Sequence, residues 1–130
     1  IVLHDPIGGP IAVALAESLG DRAVLVTPDH IAGNDLARSG DLAPANVRLQ
    51  QCGVHIERRC TLRAVTAEGV VLVDRFSGES RVVACSAIVD CGFRLPTDPI
   101  PGAHHQVGDC VAPRTLLEAI LEGRRAARAL

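Results

Sequence analysis

The sequence predicts an α/β fold in which a mainly parallel β-sheet is covered by helices. Hydrophobic residues make up 48% of the 130 residues and aromatic residues only 2%, so the core must be built from Val, Leu, Ile and Ala, as in buried parallel strands. Short apolar runs alternate with longer segments of helical periodicity in the first part of the chain. Glycine and proline mark the turns between them. A chain of this length can bury a substantial core, and we expect one domain over residues 1–130.

Three strands and two helices are predicted in the first 58 residues. The opening apolar run leads through a glycine turn into a helical pattern that begins at Pro10, which suits a first helical position, and ends at Gly20. The polar loop before the second helix contains a short helix around Leu36, and Gly53 ends the second helix. The predicted strands are residues 1–4, 23–27 and 54–58, the loop is 29–41 and the second helix is 44–52.

Residues 61–85 are predicted to form an antiparallel β-meander, inserted after the third parallel strand. Val71, Val73 and Val82 belong to alternating patterns, which are typical of half-buried strands. Turn residues separate the runs, and nothing catalytic is visible among them. The three strands are residues 61–66, 70–75 and 81–85, with turns at 67–69 and 76–79.

The last third of the chain predicts a buried strand at 86–91, a Pro-rich linker at 96–102, a final strand at 104–107 and a helix. Two starts for this helix stay open. Thr115 with Glu118 three residues later fits a capping box, whereas Pro113 fits a first helical position. The helix has an apolar face and a basic face. The apolar face carries Leu116, Leu117, Ile120, Leu121 and Ala127, and the basic face carries Arg124, Arg125 and Arg128.

The turn at Gly8-Gly9 predicts a Rossmann-like βαβ unit. A dinucleotide fingerprint, G-x-G-x-x-G, needs its glycines for a tight turn, close approach of the pyrophosphate and helix packing. If Gly9 is the second glycine, Ala12 is an acceptable third, but Ile7 is a poor first because a β-branched residue resists positive φ. The acid expected after the second strand is missing, and no Arg lies nearby to hold a 2′-phosphate. Two interpretations stay open: NAD(P) binding at this turn, or a structural turn without a ligand.

Three motifs together resemble one family of flavoproteins. They are HDPIGG at residues 4–9, CGFRLP at 91–96 and GDCVAPR at 108–114. With them the chain resembles the NAD(P)/FAD-binding domain of the 2,4-dienoyl-CoA reductase and trimethylamine dehydrogenase family, the long NADH:flavin oxidoreductases with an Old Yellow Enzyme-like barrel. The resemblance implies a Rossmann-like three-layer domain with a central parallel sheet and the inserted β-meander.

The resemblance also implies cofactor contacts for seven residues and carries no catalytic residue onto this chain. Asp109 would approach the ribityl chain of FAD or the corresponding ADP region, where a carboxylate can accept hydrogen bonds from hydroxyl groups. The guanidinium of Arg94, in the CGFRLP motif, could face a phosphate. The complete set is Gly8, Gly9, Gly92, Arg94, Gly108, Asp109 and Arg114.

The implied function is that of a nucleotide-binding-like domain in a flavin-dependent oxidoreductase, where it helps to position FAD or NAD(P)H. Residues 104–130 would return to the FAD-binding part, and FMN and an iron–sulfur cluster would be held only in domains absent from this chain. Because the chain has no methionine and starts abruptly in a strand, we expect a fragment of a longer flavoprotein or a trimmed chain, inactive by itself. The alternative is a degenerate, non-catalytic Rossmann-like module for interdomain packing or assembly.

The composition argues against several other partners. The net charge is −2 and the 13 basic residues, all arginine, are dispersed, so with few aromatic residues a nucleic-acid groove is not expected. No apolar run approaches the roughly 20 residues of a membrane span. The cysteines form no C-x-x-C pair, and His104 and His105 would point to opposite faces of a strand, so we expect no metal site. Reduced cysteines used as small apolar residues fit a cytoplasmic protein.

Overall fold

The computed structural model describes residues 1–96, 98, 100–113 and 115–130. This part of the chain divides into two compact units, Ile1–Gly92 and Phe93–Leu130. The first unit contains the β-strands and two α-helices, and the second contains a third α-helix. The strands are β1 (Val2–His4), β2 (Val24–Val26), β3 (His55–Glu57), β4 (Cys60–Thr66), β5 (Gly69–Asp74), β6 (Ser80–Val83) and β7 (Ile88–Asp90); the helices are α1 (Pro10–Leu19), α2 (Leu42–Gln51) and α3 (Leu116–Ala129).

Four short strands form a parallel sheet in the order β3-β2-β1-β7. β1 lies between β2 and β7, so that Leu3 stands opposite Leu25 on one side and Val89 on the other. Both faces of the central strands are covered, and β1 and β2 are therefore almost wholly apolar. The parallel direction brings the carboxyl ends of all four strands to one edge of the sheet.

Helices α1 and α2 cover one face of the parallel sheet. Leu3 and Leu25 are fully buried and pack in one cluster with Ala12 and Ala16 of α1 and with Leu49 of α2. The two alanines allow α1 to approach the sheet closely. Full burial of each leucine contributes about 1.5–3 kcal/mol, so this cluster holds both helices against the sheet.

The opposite face of the parallel sheet is covered by an antiparallel sheet of β4, β5 and β6. Neighbouring residues of a strand point to opposite faces, and Val2 and Val26 accordingly pack with Cys60, Val70 and Leu72 in a second buried cluster. The first unit thus has three layers: helices, parallel sheet and antiparallel sheet. This α/β Rossmann-like arrangement with an inserted meander confirms the fold class predicted from the sequence.

The predicted elements of the first unit are present with shifted ends. The short helix expected around Leu36 is a 3₁₀ helix, Asn34–Ser39. Helix α2 begins at Leu42 rather than at residue 44, because Pro44 is tolerated in a first helical turn, where its missing N–H is not needed. Helix α1 begins at Pro10, as predicted, and Gly20 caps its end.

The second unit contains a short 3₁₀ helix, Gly108–Cys110, and helix α3. Thr115 is the N-cap of α3 and forms a capping box with Glu118, whose Oε2 accepts the Thr115 N–H at 3.2 Å. This start was one of the two left open, and Pro113 lies before the helix. The strand predicted at residues 104–107 is wrong: these residues are irregular, because a short polar run needs a neighbouring strand to pair with.

The cysteines remain separate thiols in the structure: Cys52, Cys60, Cys85, Cys91 and Cys110 are all free. Across the described ranges, no group of three or more His, Cys, Asp or Glu residues is placed to hold a metal ion. Nor does any helix in these ranges have the length and apolar character needed to cross a membrane.

Candidate functional site at the carboxyl edge of the parallel sheet

The carboxyl edge of the parallel sheet is the place where an open α/β sheet binds ligands, next to the point where the strand order reverses. The chain moves outward from β1 to β2 and β3 and then returns to the other side of β1 with β7. The reversal therefore lies between β1 and β7, which end at His4 and Asp90. The residues that follow these two strands form the first candidate site.

The glycine turn between β1 and α1 lies at this edge. Gly8 adopts a left-handed conformation with φ +65°, which explains a glycine there. Gly9 is the N-cap of α1 and has extended geometry, with Pro10 as the first helical residue. Both glycines are buried. The turn thus has the general form of a nucleotide-binding turn, but its two glycines are largely inaccessible to solvent.

Asp5 fills the space behind the glycine turn. Its side chain is fully buried, its Oδ1 accepts the Gly9 N–H at 3.0 Å, and its Oδ2 has no hydrogen-bond partner in the described structure. Burial raises the pKa of this carboxyl, although the backbone N–H groups of the turn oppose that change. Sequence reasoning treated Asp5 only as part of the HDPIGG motif. An acid directly after a buried strand and before a glycine turn is the signal that could have identified it.

The loop after β2 covers the glycine turn from outside. The Asp35 N–H donates to the Gly8 carbonyl at 2.9 Å. A Cβ added to Gly8 would lie 3.0 Å from the Asn34 backbone nitrogen and 3.2 Å from Asp29 Oδ2. The absence of a side chain at Gly8 therefore leaves room for this chain's own loop to pack against the turn.

The CGFRLP motif begins at the same edge, beside the glycine turn. The Cys91 N–H donates to the His4 carbonyl at 2.8 Å, and a Cβ on Gly92 would lie 3.1 Å from Pro6 Cγ. Asp90 accepts the Gly92 N–H and contacts His4 Nδ1, each at 3.1 Å. The structure thus places Gly92 beside the turn that contains Gly8 and Gly9, at the same edge of the parallel sheet.

A second hollow, of about 450 Å³, lies beyond the ends of β2 and β3. The Arg59 N–H donates to the Asp29 carbonyl at 3.0 Å. The sequence had shown no arginine near the end of the second strand, and the structure corrects this: residues from the β3–β4 turn reach it. They were missed because about thirty residues separate the two segments in the chain. The hollow is lined by His30, Ile56, Glu57, Arg58, Arg59, Asp74 and Arg81.

The charges in this hollow largely compensate one another. The Arg59 guanidinium lies 3.5 Å from the Asp74 carboxylate and 5.5 Å from the centre of the Phe76 ring. Arg81 forms an ion pair with Glu57. Two of the three arginines that line the hollow are thus paired with carboxylates that line it too, and Arg58 is the third.

In the second unit, the structure brings Arg94 and Asp109 together. Arg94 Nη1 lies 3.9 Å from Asp109 Oδ2, and both side chains are more than half exposed. Gly108 has φ +72°, and its N–H donates to Glu122 Oε2 of α3 at 2.7 Å. Asp109 is therefore presented to solvent by a turn tied to α3. The remaining predicted contact, Arg114, lies outside the described residues.

Comparison with known proteins gave similarity to solved structures alone. No protein-family model matches the chain, and no curated protein matches it. The chain is similar to histamine dehydrogenase from Rhizobium sp. 4-9, with a TM-score of 0.90 and 22% identity over 99% of this chain and 22% of that one.

Two further solved structures have the same fold over nearly the whole chain. The 6-hydroxypseudooxynicotine amine oxidase of Pseudomonas geniculata N1 gives a TM-score of 0.87 and 16% identity over 96% of this chain and 21% of that one. A 2-naphthoyl-CoA reductase gives a TM-score of 0.76 and 16% identity over 94% of this chain and 20% of that one. The chain thus spans about a fifth of the length of these proteins, and the likeness shows that it has the fold of one segment of them.

Proposed function

We propose that this chain is the nucleotide-binding-like domain of a longer, flavin-dependent oxidoreductase of the 2,4-dienoyl-CoA reductase and trimethylamine dehydrogenase type, and that it helps to position FAD. The main support is that 99% of the chain, including both units, follows one segment of a histamine dehydrogenase at a TM-score of 0.90. The CGFRLP and GDCVAPR motifs lie within that segment and resemble the cofactor-contacting motifs of this family.

We assign the flavin contact to Asp109, with Gly108 and Arg94 beside it. Arg114, which lies outside the described residues, is proposed as a further contact on the resemblance of the GDCVAPR motif alone. The Asp109 carboxylate is exposed and can accept hydrogen bonds from sugar or ribityl hydroxyl groups. Its ion pair with Arg94 is long and exposed, and such pairs contribute about 0–1 kcal/mol. A cofactor could therefore replace this pair at little cost, with its hydroxyls on Asp109 and a phosphate on Arg94.

Helix α3 supplies a reason to expect further protein beside the second unit. Its apolar side chains are largely uncovered: Leu116 is 76% exposed, Leu117 62% and Ile120 59%. Large contiguous apolar surfaces usually mark an interface. We propose that the FAD-binding part of the parent protein covers this face, so that residues 104–130 belong structurally to that part.

NAD(P)H binding by Gly8, Gly9 and Gly92, the other cofactor contact that the resemblance implies, is not part of this proposal. One observation favours the alternative, a structural turn without a ligand, at this position: the Gly9 N–H already donates to Asp5. FMN and an iron–sulfur cluster would belong to other domains of the parent, which we place in the cytoplasm because all five thiols are free.

The flavin contact is tested by isothermal titration calorimetry of the chain with FAD, ADP, NADH and NADPH. We expect FAD or ADP to bind in the micromolar range, and Asp109→Ala to weaken binding about tenfold or more, because a hydrogen bond to a charged group contributes about 1.5–3 kcal/mol. Asp98→Ala removes another exposed carboxylate of the second unit and should leave the affinity unchanged.

The opposite results are equally clear. Failure of all four ligands to bind, or equal losses in the two variants, would contradict the assignment of Asp109. We also expect the chain alone to show no NAD(P)H oxidation, since it carries no catalytic residue of these enzymes. Turnover without an added flavoprotein would count against this account of the chain as one part of a larger enzyme.

A further inference from the structure

The glycine turn of the first unit already holds a carboxyl group of its own. In a dinucleotide-binding turn, backbone N–H groups at the start of the helix face the pyrophosphate, and the glycines leave room for it. Here the Gly9 N–H points at Asp5 Oδ1, 3.0 Å away. The Asp5 side chain is fully buried beneath the turn, so it occupies the hydrogen-bonding capacity that a phosphate would use.

The approach from outside is restricted as well. Gly8 and Gly9 are both buried, and the Asp35 N–H is bonded to the Gly8 carbonyl at 2.9 Å. Asp29 Oδ2 would lie 3.2 Å from a Cβ at Gly8, so a second carboxylate stands beside the turn. A pyrophosphate entering here would meet the Asp29 carboxylate at short range, an unfavourable arrangement of like charges.

We propose that Asp5 is the residue that excludes a dinucleotide pyrophosphate from this turn, by serving as a built-in substitute for it. The side chain accepts the Gly9 N–H through Oδ1 whether or not Oδ2 carries a proton. The turn therefore stays closed in either protonation state. The inference concerns only the first unit and is independent of the flavin contact proposed for Asp109.

The test uses the ¹⁵N-labelled chain and inorganic pyrophosphate as the probe, with the assigned amide signals of Gly8 and Gly9 as the readout. In the wild type we expect these signals to remain in place as pyrophosphate, or NADH, is added. In Asp5→Ala they should shift saturably, with an affinity at least about tenfold above that of the wild type. Asp21→Ala, which removes an exposed carboxylate ahead of β2, should behave as the wild type.

Two outcomes would overturn the inference. One is a saturable shift of the Gly8 and Gly9 signals in the wild type, and the other is no gain in affinity in Asp5→Ala. If Asp5→Ala does not fold, Asp5→Val replaces it, since valine fills the buried site but cannot accept the Gly9 N–H. Its pyrophosphate affinity must then exceed that of the wild type, and an unchanged affinity rejects the role of Asp5.

Discussion

At the scale of single residues, Asp5 links the stability of the fold to pH. Burial raises the pKa of its carboxyl above the ordinary value of 3.8. An acid with a raised pKa binds more protons in the folded chain than in the unfolded chain, so its contribution to stability falls as pH rises through the interval from 3.8 to the folded pKa. Ionisation of a buried group with an unpartnered oxygen is the physical cause.

We therefore expect the free energy of unfolding of the wild type, relative to Asp5→Asn, to decrease across that interval and to become constant above it. Urea unfolding of both proteins, at a series of pH values from below 3.8 to neutrality, measures this difference. Asp21→Asn, a substitution at an exposed position, provides the control. A difference that is independent of pH would show an unchanged pKa for Asp5, and a difference that increases with pH would show a lowered one; either result would contradict the expected rise.

Around Asp5, the local elements could be predicted from the sequence, but the contact that Asp5 makes could not. The strand, the glycine turn and the helix start at Pro10 follow from local rules for apolar runs and glycine, and the structure confirms them. The contact between Asp5 and the Gly9 N–H depends on the depth of the side chain beneath the turn. The sequence does not encode that depth in a pattern of spacing.

At the scale of secondary-structure elements, the meander depends on a close approach at Gly69, where β5 begins. Gly69 has φ +141°, and an added Cβ would lie 2.2 Å from the Val83 carbonyl oxygen and 2.8 Å from Ala84 Cα. These are backbone atoms of the neighbouring chain segment, which cannot turn aside as a flexible side chain would.

We expect Gly69→Ala to reduce the free energy of unfolding by more than about 2 kcal/mol, through backbone strain and displacement of β6. Gly78→Ala is the matched control: Gly78 has φ +74° with no atom near the added Cβ, so about 1 kcal/mol of strain is expected. Denaturant unfolding gives both values. Equal losses would show that the close approach is not maintained in solution.

The elements differ in how far they could be predicted, and pairing explains the difference. The strands of the meander and of the parallel sheet have alternating or continuous apolar patterns, and each of these strands pairs with a neighbouring strand. Residues 104–107 had an apolar end but no strand beside them in the described second unit. The arginines of the β3–β4 turn reached the end of β2 through tertiary structure, which a search for a nearby residue in the sequence cannot detect.

At the scale of the whole molecule, we propose that this chain is one part of a larger flavoenzyme. The chain covers 20–22% of the three oxidoreductases whose fold it shares. The largely exposed apolar face of α3 fits the same conclusion, because such a face is normally covered in a complete protein. The resemblance of the second unit's motifs to cofactor-contacting motifs is the reason why we propose a flavin as the cofactor.

The most direct test is to purify the natural protein that contains this sequence and to record its mass and its visible absorption spectrum. We predict a mass several times the 13.6 kDa of this chain, together with the absorption bands of a bound flavin. A natural protein of 13.6 kDa without flavin would contradict the central claim, and the alternative of a non-catalytic module would then replace it.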